Sequence, residues 1–259
     1  MTRCAWPCLA VLPLAALALL PLPALAQTQG ASWDWQLSEP FDLTVDVQVF
    51  ATDPDTMQPE MMAGLQARGV FTICYVSVGT LEDWRGDVAA FPASVIGTVY
   101  PDWPAENFLD IRDTGTLLPL LQSRFEDCAA RGFDAIEPDN MDVYLNDSGF
   151  DISAEDTVRF VTALSYMAHA LDLQIGQKNL AELTPQLEPL MDFAIVEGCF
   201  ADDWCEAMRP YAEAGKAIFA AEYEVLEADR ADLCTDAAGR GISLIFKEYD
   251  LDARGARCP

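Results

Sequence analysis

The chain has 259 residues, with 42 acidic against 15 basic side chains, a formal charge of −27 and a single histidine. That balance argues against nucleic acid and anionic membranes as partners, since both need basic patches. One imidazole, His169 in the helical pattern TALSYMAHALDL, reads as structural, so a Ser-His-Asp or Cys-His hydrolase is disfavoured and acid–base work falls to carboxylates.

Residues 1–26 read as a secretory signal: Arg3 gives a positive start, Leu9–Leu22 is apolar, and Ala24-Leu25-Ala26 is a small-residue cleavage site. A membrane anchor is the alternative, but Pro13, Pro21 and Pro23 interrupt a run shorter than the ~20 residues of a span. The mature part, 27–259, is expected to be secreted or periplasmic, off the membrane and monomeric. Losing Arg3 leaves 14 basic against 42 acidic residues, a charge of −28. This charge suits a cationic polymer or simple solubility in a salty or acidic habitat.

Cys4 and Cys8 leave with the signal, and six cysteines remain of the original 8. An even number in an oxidising compartment suggests disulfides. Cys199 with Cys205 closes the short CFADDWC loop, Cys234 with Cys258 would pin the tail, and Cys74 is left with Cys128. Fifteen connectivities remain formally open. With no CxxC and one histidine, no metal site is expected, and no cofactor.

Apolar runs alternate with amphipathic ones. Strands are expected at Val45–Ala51, Val70–Val78, Leu109–Ile111, Phe133–Asp139, Leu173–Lys178, Phe193–Glu197, Ala217–Glu222 and Ile242–Glu248. Helices are expected at Pro59–Arg68, Leu117–Arg131, from a cap at Ser153 to Leu171, then at Leu183–Leu190, Asp203–Ala214 and Arg230–Arg240. Eight strands with intervening helices point to an α/β fold, a single-domain (β/α)8 TIM barrel. An open doubly wound sheet is the alternative, but no GxGxxG or P-loop implies a nucleotide.

In such a barrel the strand interiors are apolar and the chemistry collects where strands end. The ends here are polar: Tyr75 and then Glu82, Asp139-Asn140, Lys178-Asn179, Glu197, Glu222-Tyr223. A salt-bridged rim would also gather such groups. Trp33, Trp35, Trp84, Trp103 and Trp204 sit among acids, and aromatic faces with interspersed polar groups suit a sugar ring. Glycoside hydrolysis needs two carboxylates, one to protonate the leaving oxygen and one to attack or to activate water.

The segments WDWQLS (Trp33–Ser38), CYVSVGTLEDWRGD (Cys74–Asp87), WPAENFLDIR (Trp103–Arg112), GFDAIEPDNMDVY (Gly132–Tyr144), AHALDLQIGQKN (ending at Asn179), VEGC (Val196–Cys199) and AEYE (Ala221–Glu224) resemble, in order, the motifs of glycoside hydrolase family 114. Members are TIM-barrel enzymes typified by endo-α-1,4-polygalactosaminidase. The resemblance implies a catalytic pair of Asp139 and Glu197, and the analogy of related α-galactosidase-like barrels would make Asp139 the nucleophile and Glu197 the acid/base. It also implies substrate contacts from Asp53, Tyr75, Glu82, Trp103, Glu106, Arg112, Asn140, Lys178, Asn179, Glu222 and Tyr223. The expected activity is endo-cleavage of an α-1,4-linked galactosamine-containing polysaccharide, with retention. A non-catalytic binder of cationic polysaccharide on the same barrel is the alternative.

Overall fold

The structure is a computed structural model that describes Met1 and residues 29–259. The expected signal at 1–26 therefore lies outside the described residues, apart from Met1. Eight parallel strands form the barrel wall: β1 (Trp33–Gln36), β2 (Val49–Thr52), β3 (Phe71–Ser77), β7 (Ala135–Asp139), β8 (Gln174–Lys178), β9 (Phe193–Glu197), β10 (Ile218–Tyr223) and β11 (Ile242–Lys247). A short antiparallel strand, β12 (Gly255–Arg257), pairs with the edge of β11 that β10 leaves free. The helices are α1 (Pro59–Ala67), α2 (Thr114–Arg131), α3 (Ala154–Ala170), α4 (Thr184–Leu187), α5 (Arg209–Glu213) and α6 (Glu227–Arg240). This is a TIM-barrel-like α/β fold in one domain.

Two expectations about strands need correction. WDWQ, in a segment noted above only for its tryptophans and its family motif, forms β1, pairing in parallel with β2 from Trp33↔Val49 to Gln36↔Thr52. The expected strand at Leu109–Ile111 is not a stave. Its first residue, Leu109, instead ends β6 (Glu106–Leu109), the centre of a small antiparallel sheet with β4 (Thr80–Glu82) and β5 (Ile96–Val99). The two differences offset, so Asp139 still closes the fourth stave and Glu197 the sixth.

Strand alternation divides the apolar residues into two layers. Trp33, Trp35, Val49, Ile73, Ala135, Phe193, Ile195, Phe219 and Ile245 fill the barrel interior, while Phe50, Cys74, Ile136, Ile175, Val196 and Leu244 face the helices. Gly176 marks how tightly the interior is filled, since a Cβ there would sit 2.4 Å from the Phe193 ring. Helix ends follow local chemistry. Asp113 caps α2 by accepting from the Thr116 amide, and Ser153 and Asp156 form a capping box on α3.

Among the described residues no ladder joins β11 to β1; side chains close the seam, helped beyond the strand ends by the Leu37 and Ser38 amides, which donate to the Leu251 carbonyl at 2.7 and 3.2 Å. Trp33 Nε1 donates to the Ser243 carbonyl at 2.9 Å, and Asp34 accepts from Lys247 Nζ at 3.3 Å and Arg257 Nη1 at 3.1 Å. Three disulfides add covalent ties: Cys74–Cys128 fixes α2 to the wall, Cys199–Cys205 closes the loop after β9, and Cys234–Cys258 ties the tail to α6. They fit the expected pairing and mark an oxidising compartment. No helix among the described residues is long and apolar enough to cross a membrane.

Candidate active site

The two-residue repeat of a strand puts Glu137 and Asp139 of β7 on the same inward face. On the next strands along the wall, β8 ends inward at Lys178, β9 at Glu197 and β10 at Tyr223. The Lys178 ammonium is the hub of these groups. It lies 2.7 Å from Asp139 Oδ1, 3.0 Å from Glu137 Oε1 and 3.3 Å from Glu197 Oε2, with the Trp35 ring centroid 4.7 Å away. Lys178 is 3% exposed and Glu137 wholly buried, whereas Asp139 and Glu197 are partly open.

Burial alone would discharge Lys178, but Asp139, Glu197 and Glu137 together hold its pKa well above the usual lysine range. Glu137 is pushed up to about 7, because burial outweighs the attraction of Lys178 and Asp139 adds repulsion. Glu197 is fixed from three sides. Tyr223 donates to Oε1 at 2.5 Å, Lys178 approaches Oε2, and the Glu197 amide donates to Asn179 Oδ1 at 2.9 Å. Val196, beside it, packs into the outer apolar layer, so the polar support of Glu197 comes from neighbouring strands.

Asn140 follows β7 in the left-handed region, at φ 58°. Its amide donates to Ser77 Oγ at 3.0 Å and Thr80 Oγ1 at 3.1 Å, and Thr80 in turn donates to Glu106. Gly79 is what allows the β3–β4 turn so close, since a Cβ there would meet the Asn140 carbonyl oxygen at 1.6 Å. The small side sheet is thus locked against the loop that follows β7. Burial, together with repulsion from Glu82 and Asp139, raises Glu106 to about 7 despite the Thr80 hydrogen bond.

Glu106, Asp139, Asn140, Lys178, Asn179 and Glu197 line an open cleft of about 840 Å3 at the C-terminal end of the barrel. Of the residues expected to contact substrate, Asp53, Tyr75, Glu82, Trp103, Glu106, Asn140, Lys178 and Asn179 lie on its wall with Asp139 and Glu197. Asp53 and Glu82 are both held by Arg85, at 2.8 and 2.5 Å. Tyr223 reaches the site through Glu197 and stacks on Tyr249, ring centroids 4.6 Å apart.

Two expected residues are placed elsewhere. Glu222 has the opposite strand parity to Tyr223, is 1% exposed, and accepts from the Phe200 and Ala201 amides. It shapes the loop after β9. Arg112 pairs with Asp110 at 2.7 Å and donates to the Asp151 carbonyl, outside the cleft wall.

The tryptophans also divide. Trp33 and Trp35 are buried in the barrel, with Trp35 reaching the cleft floor, and Trp204 packs against the outer apolar layer. Trp84 and Trp103 stand half-exposed over the cleft at 54% and 52%. Sequence reasoning gave no role to Glu137, Ser77 or Thr80. An acid in the middle of a buried parallel strand, AIEPD, was the available signal for Glu137.

The sequence profile of glycoside-hydrolase family GH114 matches residues 16–259. Among solved structures, the Aspergillus fumigatus Ega3 complex with galactosamine superposes with a TM-score of 0.85 at 29% identity, covering 90% of this chain and 97% of that one. The glycoside hydrolase domain of PelA from Pseudomonas aeruginosa superposes with a TM-score of 0.69 at 16% identity, covering 87% and 98%, and shares the fold. No curated protein sequence matches the chain.

Proposed function

The chain belongs to glycoside-hydrolase family GH114, and on that premise we propose that it is an exported endo-glycosidase cleaving α-1,4-linked galactosamine-containing polysaccharide with retention at the anomeric carbon. The observation that carries this reading is the pairing of Asp139 and Glu197 on one ammonium at the foot of an open cleft. Contacts of 2.7 and 3.3 Å to the same nitrogen bound the separation of those two oxygens at about 6 Å, compatible with the short carboxyl spacing of retaining enzymes.

Asp139 makes the shorter ion pair and is the nucleophile. It attacks the anomeric carbon as Glu197 gives a proton to the departing glycosidic oxygen. Once Asp139 is esterified its negative charge is gone, and the Lys178 ammonium is left to Glu137 and Glu197. Glu197 is then a carboxylate in the presence of its own cation and takes a proton from the water that releases the sugar. Tyr223 and Asn179 keep its oxygens aimed through both steps.

The substrate class rests on charge and on the relative. Asp53, Glu82, Glu106 and Asp142 crowd the cleft with acid, and Trp84 and Trp103 offer faces on which an amino sugar gains by stacking and by cation–π attraction. Ega3, similar over nearly its whole length, was crystallised with galactosamine.

Incubation with partly deacetylated galactosaminogalactan, chitosan and a neutral galactan, followed by mass spectrometry, tests the reading. Oligosaccharides from the first alone support it. Binding of the polymer with no new reducing ends on prolonged incubation would instead identify a lectin-like barrel.

A further inference from the structure

Glu137 does not line the cleft and has no direct part in the chemistry just described, yet it is fully buried beneath the catalytic pair. Its Oε1 lies 3.0 Å from Lys178 Nζ, and its Oε2 has no hydrogen-bond partner. A buried carboxyl with one oxygen unsatisfied is costly and needs a reason. The groups that act on it electrostatically come from the neighbouring strands: Lys178 on β8, Asp139 on β7 itself, Glu197 on β9, Tyr75 on β3 and Tyr223 on β10. Lys178 is the one cation among them.

We propose that Glu137 is a positioning residue that anchors the Lys178 ammonium midway between Asp139 and Glu197, and that its ionisation sets how much of that positive charge the catalytic pair receives. The inference rests on the glycosidase reading for its kinetic consequence but not for its electrostatic one. An ionised Glu137 takes a share of the ammonium's charge. A neutral Glu137 leaves the whole charge to Asp139 and Glu197, which slows a step needing a free nucleophile and a protonated acid. The ordinary carboxyl range is well below neutrality, but burial holds Glu137 at about 7. The change of share therefore falls near neutral pH.

The test compares wild type, Glu137→Gln and Glu137→Asp. With deacetylated galactosaminan as substrate, Glu137→Gln should lower kcat 10- to 100-fold at pH 7.5 with KM within about twofold. It should also erase an inflection near pH 7 in the wild-type profile. Glu137→Asp, which keeps the charge, should retain that inflection and recover part of the rate. In substrate-free protein, carboxyl 13C and lysine 15N NMR should show the Glu137 carboxyl, told apart from that of Glu106 by its loss in Glu137→Gln, titrating near pH 7 with the Lys178 resonance moving in step.

A Glu137→Gln profile with the wild-type shape would overturn the proposal, even if the rate fell. So would a Lys178 resonance indifferent to that titration. The wild-type NMR titration decides the matter if the glutamine variant does not fold. A wild type inert on every polymer would sink the glycosidase reading while the NMR result still judged this one.

Discussion

Tyr223 and Glu197 occupy adjacent strands, and the phenol hydroxyl donates to the carboxylate at 2.5 Å. Burial and the neighbouring Glu197 charge hold the phenol far above the ordinary tyrosine range, so it stays a donor at any working pH. A hydrogen bond to a charged group contributes about 1.5–3 kcal/mol. Tyr223→Phe should accordingly lower kcat roughly 10- to 100-fold with little change in KM, because the ring stacked on Tyr249 is kept. Steady-state kinetics check this, and a loss confined to KM would place Tyr223 in substrate binding instead.

Lys178→Met removes what is, among the described residues, the only cation within 4 Å of Glu137, Asp139 and Glu197. Breaking a buried ion pair by deleting one partner costs about 3–5 kcal/mol. Urea unfolding at pH 7.5 should show a loss of that order, smaller at pH 5.5, where Glu137 takes up a proton. Turnover should be abolished. A variant as stable as wild type at both values would contradict the role given to Lys178.

Glu106 and Glu137 are both raised to about 7 from a usual value of 4.5. Between those values the folded chain binds protons that the unfolded chain has released. Their contribution to stability is therefore complete below about pH 4.5 and is lost as pH rises through 7. The thermal midpoint should fall from pH 5 to pH 8, and Glu106→Gln should flatten part of that slope. Calorimetry across this range reads it, and an unchanged slope would show that Glu106 does not titrate near 7.

Asp34 is 1% exposed and gathers Lys247, Arg257, the Trp35 amide and the Gln36 side chain at the seam between β1 and β11. Asp34→Asn leaves Lys247 and Arg257 facing a neutral amide, at a cost of about 3 kcal/mol. Activity per folded molecule should be unchanged, since the seam pair is not part of the cluster around Lys178. Denaturant unfolding together with active-site counting separates the two effects.

Much of this was legible from sequence, for identifiable reasons. Strand ends in a parallel barrel gather polar groups, so Asp139, Lys178 and Glu197 stood out against apolar runs. Glu222 and Tyr223 show where that signal fails. Neighbouring strand residues point to opposite sides, and composition alone does not say which points inward. β1 escaped because WDWQ carries no apolar run; its tryptophans are buried by the fully formed barrel, not by local pattern. Arg112 looked like a site residue within its motif, but Asp110, two positions earlier, already holds it.

The most direct test of the account is product release by wild type, Asp139→Asn and Glu197→Gln from deacetylated galactosaminogalactan. Oligosaccharides are expected from wild type alone, with all three proteins melting within a few degrees of one another. Wild-type turnover in either variant, or folded wild-type protein that releases nothing, would contradict it.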